Sequence, residues 1–242
     1  MRYAILFTLI AISISAAATD EGAESITYDV LQLEGKLFLG AEPDEKRMRI
    51  GDQAVSGDRL RTGSSSSAAI GIPSHTTIFR LQAKTTCTLA HDRPGVLLHL
   101  ERGRLRALFG SHTGADPRLV TTPSAVLAVR GTEYGLKVKK NGATEIVVFS
   151  GVVEVNDPSG KNPPIRVEAG QRSRIKTGRP PGSPEPHRLT PNYWDQGRST
   201  PPSGMGAGGL NSGAQSGASG ASGAGAGAGA GGKQGGGKKH GG

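Results

Sequence analysis

The sequence predicts an all-β domain. Between Ser25 and Ile175 it consists of short β-prone runs, such as ITYDVLQL, TTIFRL and TEIVVFS, separated by glycine-containing turns. No window in this range keeps the 3.6-residue spacing of apolar residues for more than two helical turns. Many short strands at even spacing are typical of a sandwich, a roll or a solenoid. We therefore predict a single domain of many short strands in one of these architectures.

The N-terminal residues have the composition of a secretory signal peptide. Residues 1–18 combine Arg2, an apolar run from Tyr3 to Ile14 and a stretch of three alanines. The apolar run is shorter than the roughly 20 residues that a membrane-spanning helix needs, and no later segment approaches that length. We therefore predict export to the periplasm, to the cell surface or into the extracellular medium, with no transmembrane segment after cleavage.

Composition also divides the rest of the chain. Residues 19–32 form a lead-in, and the β domain is placed at residues 33–175. A proline-rich linker follows at residues 176–203, and a tail at residues 204–242 is almost wholly Gly, Ala and Ser before a short basic end. The tail has too little apolar surface to offset the entropy lost on ordering, so it is predicted to be disordered.

Two aromatic residues in the linker have an open role. Tyr193 and Trp194 are the last aromatic residues of the chain, and Trp194 is the only tryptophan. They either dock on the β domain or form a short recognition motif in the linker.

The charge distribution argues against a nucleic-acid partner. The net charge is +9, but residues 176–242 hold seven basic and two acidic residues, so over half of the excess lies in the linker and tail. The β region lacks the basic stripe with interleaved aromatic residues that binding to nucleic acid uses. We expect a protein or an envelope polymer as the partner, and the sequence does not indicate an oligomeric state.

The sequence holds no pattern typical of catalysis or of metal binding. Its histidines are never closely paired, and no Gly-x-Ser-x-Gly motif occurs. Cys87 lies in the alternating run TTCTLA and is interpreted as a small buried residue. Asp52 and Asp58 each follow a glycine, which favours turns in which the carboxylate accepts hydrogen bonds from N–H groups two residues further on. Their alternative role is the acid pair of a glycosidase. We expect a non-enzymatic protein without a cofactor or metal.

The stretch TPSAVLAVRGTEY contains a change in alternation. Leu127 and Val129 stand at odd positions, whereas Tyr134 and Leu136 stand at even positions. Because side chains alternate strictly across a strand, this change requires an extra residue between the two halves. Gly131 is the position where a β-bulge or a sharp bend fits.

The residues around Gly131 are the candidate functional site. Arg130 and Glu133 are predicted to reach the same side of the bend and to form an ion pair. Thr132 is predicted to hydrogen-bond backbone groups that the bulge leaves free, and Tyr134 resumes the strand. Two interpretations remain: the pair closes a strand crossing, or these residues form a surface that binds a partner.

The segment after the bend predicts a meander. Asn141-Gly142 separates two strand-like runs, and this dipeptide is typical of a type I′ hairpin turn with positive φ at both positions. Ser150-Gly151 is predicted to form a second tight turn, and residues 156–160 a looser one.

These segments resemble the FecR domain family. The run VTTPSAVLAVRGTEYGLKVKKNGATEIVVFSGVVEV, followed by VEAGQRSRI, is similar to the family's Thr-Pro run, Val-Arg-Gly-Thr with Glu and an aromatic residue, hairpin, Gly-Val-Val strand and Ala-Gly-Gln turn. Upstream, VSGDRLRTGSSSSAAIGI and ERGRLRALF are similar to its Gly-Asp segment and its Arg-Gly strand. The resemblance covers residues 33–175.

The resemblance implies an all-β, non-enzymatic module on the outer side of the cytoplasmic membrane. The best known members are sensor-regulators of iron-siderophore uptake, in which an outer-membrane transporter signals to the exported domain and a cytoplasmic arm controls a sigma factor. Only Met1 and Arg2 precede the apolar run here, so we expect no such arm. The expectation is an exported FecR-like binding module. The alternative is a sensor component of iron-linked or cell-surface signalling that works with a separate membrane partner.

Overall fold

A computed structural model describes residues 25–90, 94–110 and 118–197. The predicted all-β fold is confirmed in these ranges. The strands are β1 (Thr27–Glu34), β2 (Leu37–Leu39), β3 (Lys46–Met48), β4 (Gln53–Val55), β5 (Arg59–Thr62), β6 (Ser67–Ile72), β7 (Thr77–Leu81), β8 (Thr86–Leu89), β9 (Val96–Phe109), β10 (Arg118–Thr122), β11 (Ala125–Val129), β12 (Glu133–Val138), β13 (Thr144–Ser150), β14 (Val152–Asn156), β15 (Ile165–Glu168), β16 (Gln171–Ile175) and β17 (Glu185–Pro186). A 3-10 turn (Pro73–His75) and one helix, α1 (Pro191–Asp195), complete them. The predicted signal peptide and the predicted disordered tail lie outside the described residues.

The strands form one continuous mixed sheet that folds into two layers. Sheet 1 has the order β4-β1-β6-β7-β9-β12-β13-β16-β17. Sheet 2 has the order β3-β2-β5-β8-β9-β10-β11-β14-β15. The pairing of β9 with β10 is parallel. Because β9 appears in both orders, it joins the two layers.

The long strand β9 differs from the sequence prediction, which treats GVLLHLE and GRLRALF as separate runs. Its first half pairs with β8 as far as Arg102, and its second half pairs with β12 from Gly103 onward. Gly103 has φ +102°, and a Cβ there would lie 2.5 Å from the Cα of Thr85. Only glycine can occupy this position, so it is the point at which the strand passes from sheet 2 to sheet 1.

The two sheets face each other across one apolar core. The alternating side chains of both sheets belong to a single buried cluster, which includes Tyr28 and Phe79 from sheet 1 and Leu60 and Leu127 from sheet 2. The Tyr28 hydroxyl donates a 2.5 Å hydrogen bond to the carbonyl of Leu97, which links β1 to the half of β9 that lies in sheet 2. The fold is therefore a two-layer sandwich.

The buried position of Cys87 confirms its interpretation as a core residue. The residue is 0 % exposed, and burial raises the pKa of its thiol to about 12. Because the thiolate is the reactive form, we expect no reaction with a thiol reagent in the native protein at neutral pH. The same reagent should react once denaturant unfolds the chain. Rapid modification under native conditions would contradict this burial.

The predicted meander is wrong at Ser150-Gly151. β13 pairs with β12 and β16, whereas β14 pairs with β11 and β15, so Gly151 lies where the chain passes between the sheets. Gly131 and Gly170 lie at two further crossings of this kind. These three glycines have φ values of +78°, +59° and +79° respectively. The sequence pattern did not distinguish the two cases, because a tight turn has the same composition whether it joins two strands of one hairpin or connects the two sheets.

The hairpin between β12 and β13 is confirmed, but its predicted turn type is wrong. Gly142 has φ +77°, and Asn141 is not among the described residues with positive φ. The N–H of Gly142 donates to the carbonyl of Lys139 at 2.9 Å, and the N–H of Lys139 donates to the carbonyl of Ala143 at 2.9 Å. This is the pattern of a three-residue loop with glycine in the left-handed position.

Asp52 and Asp58 stabilise turns as predicted, but they accept hydrogen bonds from N–H groups that precede them in the chain. The carboxylate of Asp52 accepts a hydrogen bond from the N–H of Arg49 at 2.9 Å. The carboxylate of Asp58 accepts one from the N–H of Val55 at 2.8 Å. Each donor lies three residues before the aspartate, whereas the sequence analysis placed it two residues after.

The packed part of the chain extends past the predicted boundary at Ile175. β17 pairs with β16, and α1 begins after Thr190, whose side chain accepts a hydrogen bond from the N–H of Tyr193. We call residues 185–197 the C-terminal strap. No helix in the described ranges has the length and apolar character needed to cross a membrane.

Candidate functional site at the Arg130–Tyr134 bend

The bend that connects β11 to β12 has an exposed half and a buried half. Arg130 and Gly131 are exposed, whereas Thr132 is only 2 % exposed. The Thr132 hydroxyl lies 3.2 Å from the carbonyl of Arg130 and 3.1 Å from the carbonyl of Val152, and it can donate to either. The prediction that Thr132 bonds backbone groups at the bend is confirmed.

The predicted ion pair of Glu133 with Arg130 is wrong. The carboxylate of Glu133 pairs with the guanidinium of Arg106 on β9, with 2.8 Å between Oε1 and Nη1. Glu133 lies opposite Leu108 in the β9–β12 ladder, and both charged side chains are on the outer face of sheet 1. The pair therefore joins two neighbouring strands and does not close the bend itself.

Tyr134 resumes the strand and enters the core. It is 0 % exposed, and its ring stacks on that of Phe109, with centroids 6.0 Å apart. Its hydroxyl has no hydrogen-bond partner among the described residues, and burial raises the pKa of that hydroxyl. The parity change falls at the bend itself, where the chain passes from sheet 2 to sheet 1 and Gly131 has φ +59°. A separate bulge with its extra residue on β13 lies beside it, where Glu133 faces Ser150 and Tyr134 faces Val148.

The outer face of sheet 1 next to Glu133 is covered by the C-terminal strap. The ring of Trp194 is 0 % exposed and lies directly on Gly135 of β12, where a Cβ would come within 2.3 Å of the ring. Its indole N–H donates a 2.8 Å hydrogen bond to the carbonyl of Leu105. Val147 and Leu189 complete this small second apolar cluster. Of the two roles left open by the sequence, the structure gives Trp194 the docking role.

Two arginines of β9 contact the strap. The guanidinium of Arg104 lies 4.4 Å from the centre of the Trp194 ring. Arg106 pairs with Asp195 at 2.8 Å through Nη2 while it pairs with Glu133 through Nη1. The side chain of Arg106 is only 11 % exposed. The glutamate of the bend is therefore connected to the strap through one shared arginine.

Comparison with known protein families gives a match within this sandwich. Residues 58–154 match the family model described as FecR protein. The chain contains a FecR domain. The match begins at Asp58, ends at Glu154 in β14 and contains the whole bend. The C-terminal strap lies beyond the matched residues, although it packs on the FecR domain.

Comparison with solved structures gives two crystal structures, at 1.65 and 2.50 Å resolution, of a candidate anti-sigma factor from Parabacteroides distasonis. Each has a TM-score of 0.45 and 17 % sequence identity. The match covers 53 % of this chain and 59 % of the other, so this chain spans somewhat over half the length of those proteins. No curated protein matches the chain significantly.

Three residues important to the site were missed by the sequence analysis: Arg106, Gly135 and Asp195. A signal existed for the first, because Arg104 and Arg106 alternate with Leu105 in GRLRALF and must share the outer face of a strand. A glycine within a strand also marks a close approach of another group, which applies to Gly135. No group of three or more metal-ligating side chains occurs within the described ranges.

His187 connects the strap to β13, and both nitrogens of its ring form hydrogen bonds. Its Nε2 lies 3.0 Å from the carbonyl of Val148, and its Nδ1 accepts a hydrogen bond from the N–H of Leu189. This arrangement requires the neutral ring, and burial lowers the pKa of His187 below 6.5. The unfolded chain therefore binds a proton near pH 6.5 while the folded chain does not.

We expect the stability of the strap to fall as the pH decreases below about 6.5 and to be constant just above it. The measurement is the unfolding midpoint, followed by the fluorescence of Trp194, at about pH 7.5 and about pH 5.5. His187→Gln, which has no charge at either pH, is the control. An equal pH dependence in this variant would show that another group is responsible.

Proposed function

We propose that the chain is an exported, non-enzymatic FecR-like module that binds a protein partner outside the cytoplasm. The observation that carries the proposal is the division of the bend within the FecR domain. Thr132 and Tyr134 are buried and Glu133 pairs with Arg106, whereas the surface of Arg130 and Gly131 is exposed. An exposed bend at a strand end is available to a partner without any rearrangement of the core.

The exposed part of the bend adjoins two other crossings between the sheets. We call residues 130–131, 150–152 and 168–170 the corner surface; all of them are exposed. The carbonyl of Gly131 would lie 2.9 Å from a Cβ on Gly151, and the N–H of Ala169 donates to the carbonyl of Gly151 at 3.0 Å. The surface presents Arg130, Glu168 and the 39 % exposed Val152 together. A mixture of charge and apolar area on a rigid scaffold suits a protein partner.

The FecR match also favours a second function. The resemblance to this family implies a role in signalling, so the alternative is a sensor component of iron-linked or cell-surface signalling that acts with a separate membrane partner. The two functions share the corner surface as the point of contact. They differ in the identity of the partner that binds there.

The decisive experiment is site-specific photocrosslinking in the native host. A photoreactive residue at Val152 reports on the corner surface, and one at Val55, which is 45 % exposed on the edge strand β4, is the matched control. We expect an adduct from position 152 that position 55 does not give, and a weaker adduct when Arg130 is changed to alanine. Equal adducts from both positions would contradict the proposed contact.

The adduct, identified by mass spectrometry, separates the two functions. An outer-membrane transporter or a membrane regulator would make the chain a signalling component. A surface protein or a wall polymer would make it a structural or adhesive module. Export is tested on the same sample, because a mature N-terminus near Thr19 supports it and an N-terminus at Met1 contradicts it.

A further inference from the structure

A basic cleft lies at the opposite end of β12 from the bend. Four elements border it: the turn after β5, the turn before β8, the kink of β9 and the turn after β12. Its volume is about 570 Å³. Its lining consists of Arg61, Thr62, Ser64, Lys84, Arg102, Gly103, Val138, Lys139 and Lys140.

The charge of this cleft is one-sided. Five of the described lining residues are basic and none of them is acidic. Arg61 is neutralised from outside the cleft, because it pairs with Glu45 and lies 3.3 Å from Glu42. The other four are all exposed, and none of them forms an ion pair with a described residue. Like charges gathered in a concave surface repel one another and produce a positive potential focused in the cleft.

The walls of the cleft are fixed by backbone hydrogen bonds. The N–H of Lys84 donates to the carbonyl of Gly63 at 3.0 Å, and the N–H of Thr62 donates to the carbonyl of Thr85 at 2.9 Å. Lys139 begins the glycine-containing turn of the β12–β13 hairpin. The basic side chains therefore extend from a rigid frame, which lowers the entropy lost when an anion binds.

The chemistry of the lining selects the type of anion. Four uncompensated cations match a group with several negative charges close together, and arginine and lysine are the common phosphate ligands of proteins. The described lining contains no aromatic side chain on which a base could stack, which argues against a nucleic acid. The nearby ring of Phe38 is covered by the guanidinium of Arg61, 4.5 Å from its centre.

We propose that this cleft binds a multiply charged phosphate group, such as a diphosphate or the phosphorylated headgroup of a lipid. The Lys84, Arg102, Lys139 and Lys140 side chains supply the charge, and the exposed Ser64 hydroxyl supplies a neutral donor at the rim. The cleft is separated from the corner surface by the length of β12. Its test therefore does not depend on the proposed protein partner.

The test is calorimetric titration of the full chain with inorganic pyrophosphate at low salt. The double variant Arg102→Gln, Lys139→Gln removes two charges from the cleft. The matched control Lys161→Gln, Arg166→Gln removes two exposed charges from elsewhere in the domain. We expect the dissociation constant to rise about tenfold or more in the cleft variant and to change less than about twofold in the control. Circular dichroism establishes that both variants are folded.

The remaining outcomes decide the proposal and the source of the phosphate. Absence of pyrophosphate binding, or an equal loss in both double variants, would overturn the site. Citrate binding as tight as pyrophosphate binding would overturn the assignment to phosphate. Vesicles of phosphatidylcholine with phosphatidic acid identify the source: cleft-dependent binding to them supports a lipid headgroup, and pyrophosphate binding without vesicle binding supports a soluble phosphate.

Discussion

Replacement of Trp194 by alanine is expected to lower the free energy of unfolding by about 4 kcal/mol, a value typical of the truncation of a large buried aromatic side chain. The ring is fully buried against Gly135, donates a hydrogen bond to the carbonyl of Leu105 and lies under the guanidinium of Arg104. Its removal leaves the carbonyl of Leu105 without this donor and removes the contact between the ring and the guanidinium of Arg104. The measurement is chemical denaturation followed by circular dichroism.

Tyr193→Ala is the matched control for this prediction. The two residues are neighbours on α1, but Tyr193 is only partly buried. We expect its truncation to cost clearly less than that of Trp194. A small effect of Trp194→Ala, comparable to that of Tyr193→Ala, would contradict the strap as an integral part of the domain.

Replacement of Arg106 by glutamine is expected to lower the free energy of unfolding by about 2 kcal/mol. Removal of one member of a fully buried ion pair costs roughly 3–5 kcal/mol. The loss here is smaller because the side chains of Glu133 and Asp195 are 27 % and 33 % exposed and are partly screened by water. Denaturation curves of the variant and the wild type give this difference.

Arg130→Gln is the control for the Arg106 prediction. Arg130 is the partner that the sequence pattern assigned to Glu133, and it is exposed. We expect its replacement to change the free energy of unfolding by less than about 0.5 kcal/mol, as is usual for surface positions. A large loss from Arg130→Gln together with a small loss from Arg106→Gln would reverse the assignment made from the structure.

The local features of this fold were accessible from the sequence. Alternation in runs such as SAVLAV indicated strands, since Ala125, Leu127 and Val129 point into the core. The β-prone run TEIVVFS also forms a strand, but both of its faces are buried, because the strap covers the outer one. The positions of glycines indicated where turns occur. The shift of the apolar residues from odd to even positions located the bend at Gly131. These features depend on residues close together in the chain, for which sequence patterns carry direct information.

The ion pairs between neighbouring strands could not be predicted from the sequence. Glu133 and Arg106 are 27 positions apart, and they meet because β12 lies beside β9. The sequence pattern selected Arg130 instead, because it is near in the chain. Which strands become neighbours is decided by the packing of the whole core, and so the ion pairs on a sheet face follow from topology.

The sequence left the role of the strap open for a similar reason. Proline-rich composition indicated a linker, but Trp194 finds a site where Gly135 leaves the face of β12 open. The apolar area of one indole and its hydrogen bond, together with the contact of Arg104 and the ion pair of Arg106 with Asp195, offset the cost of ordering a short segment. The C-terminal strap thus completes the outer face of sheet 1, beyond the residues that the FecR family model matches.

The measurement that tests the central claim most directly uses the only tryptophan of the chain as its probe. The claim is that the C-terminal strap is packed on the FecR domain through Trp194. Acrylamide quenching of the native protein should be weak and its emission shifted to shorter wavelength than that of the unfolded chain in urea. Quenching and emission equal to those of the unfolded chain would place Trp194 in water and contradict the account.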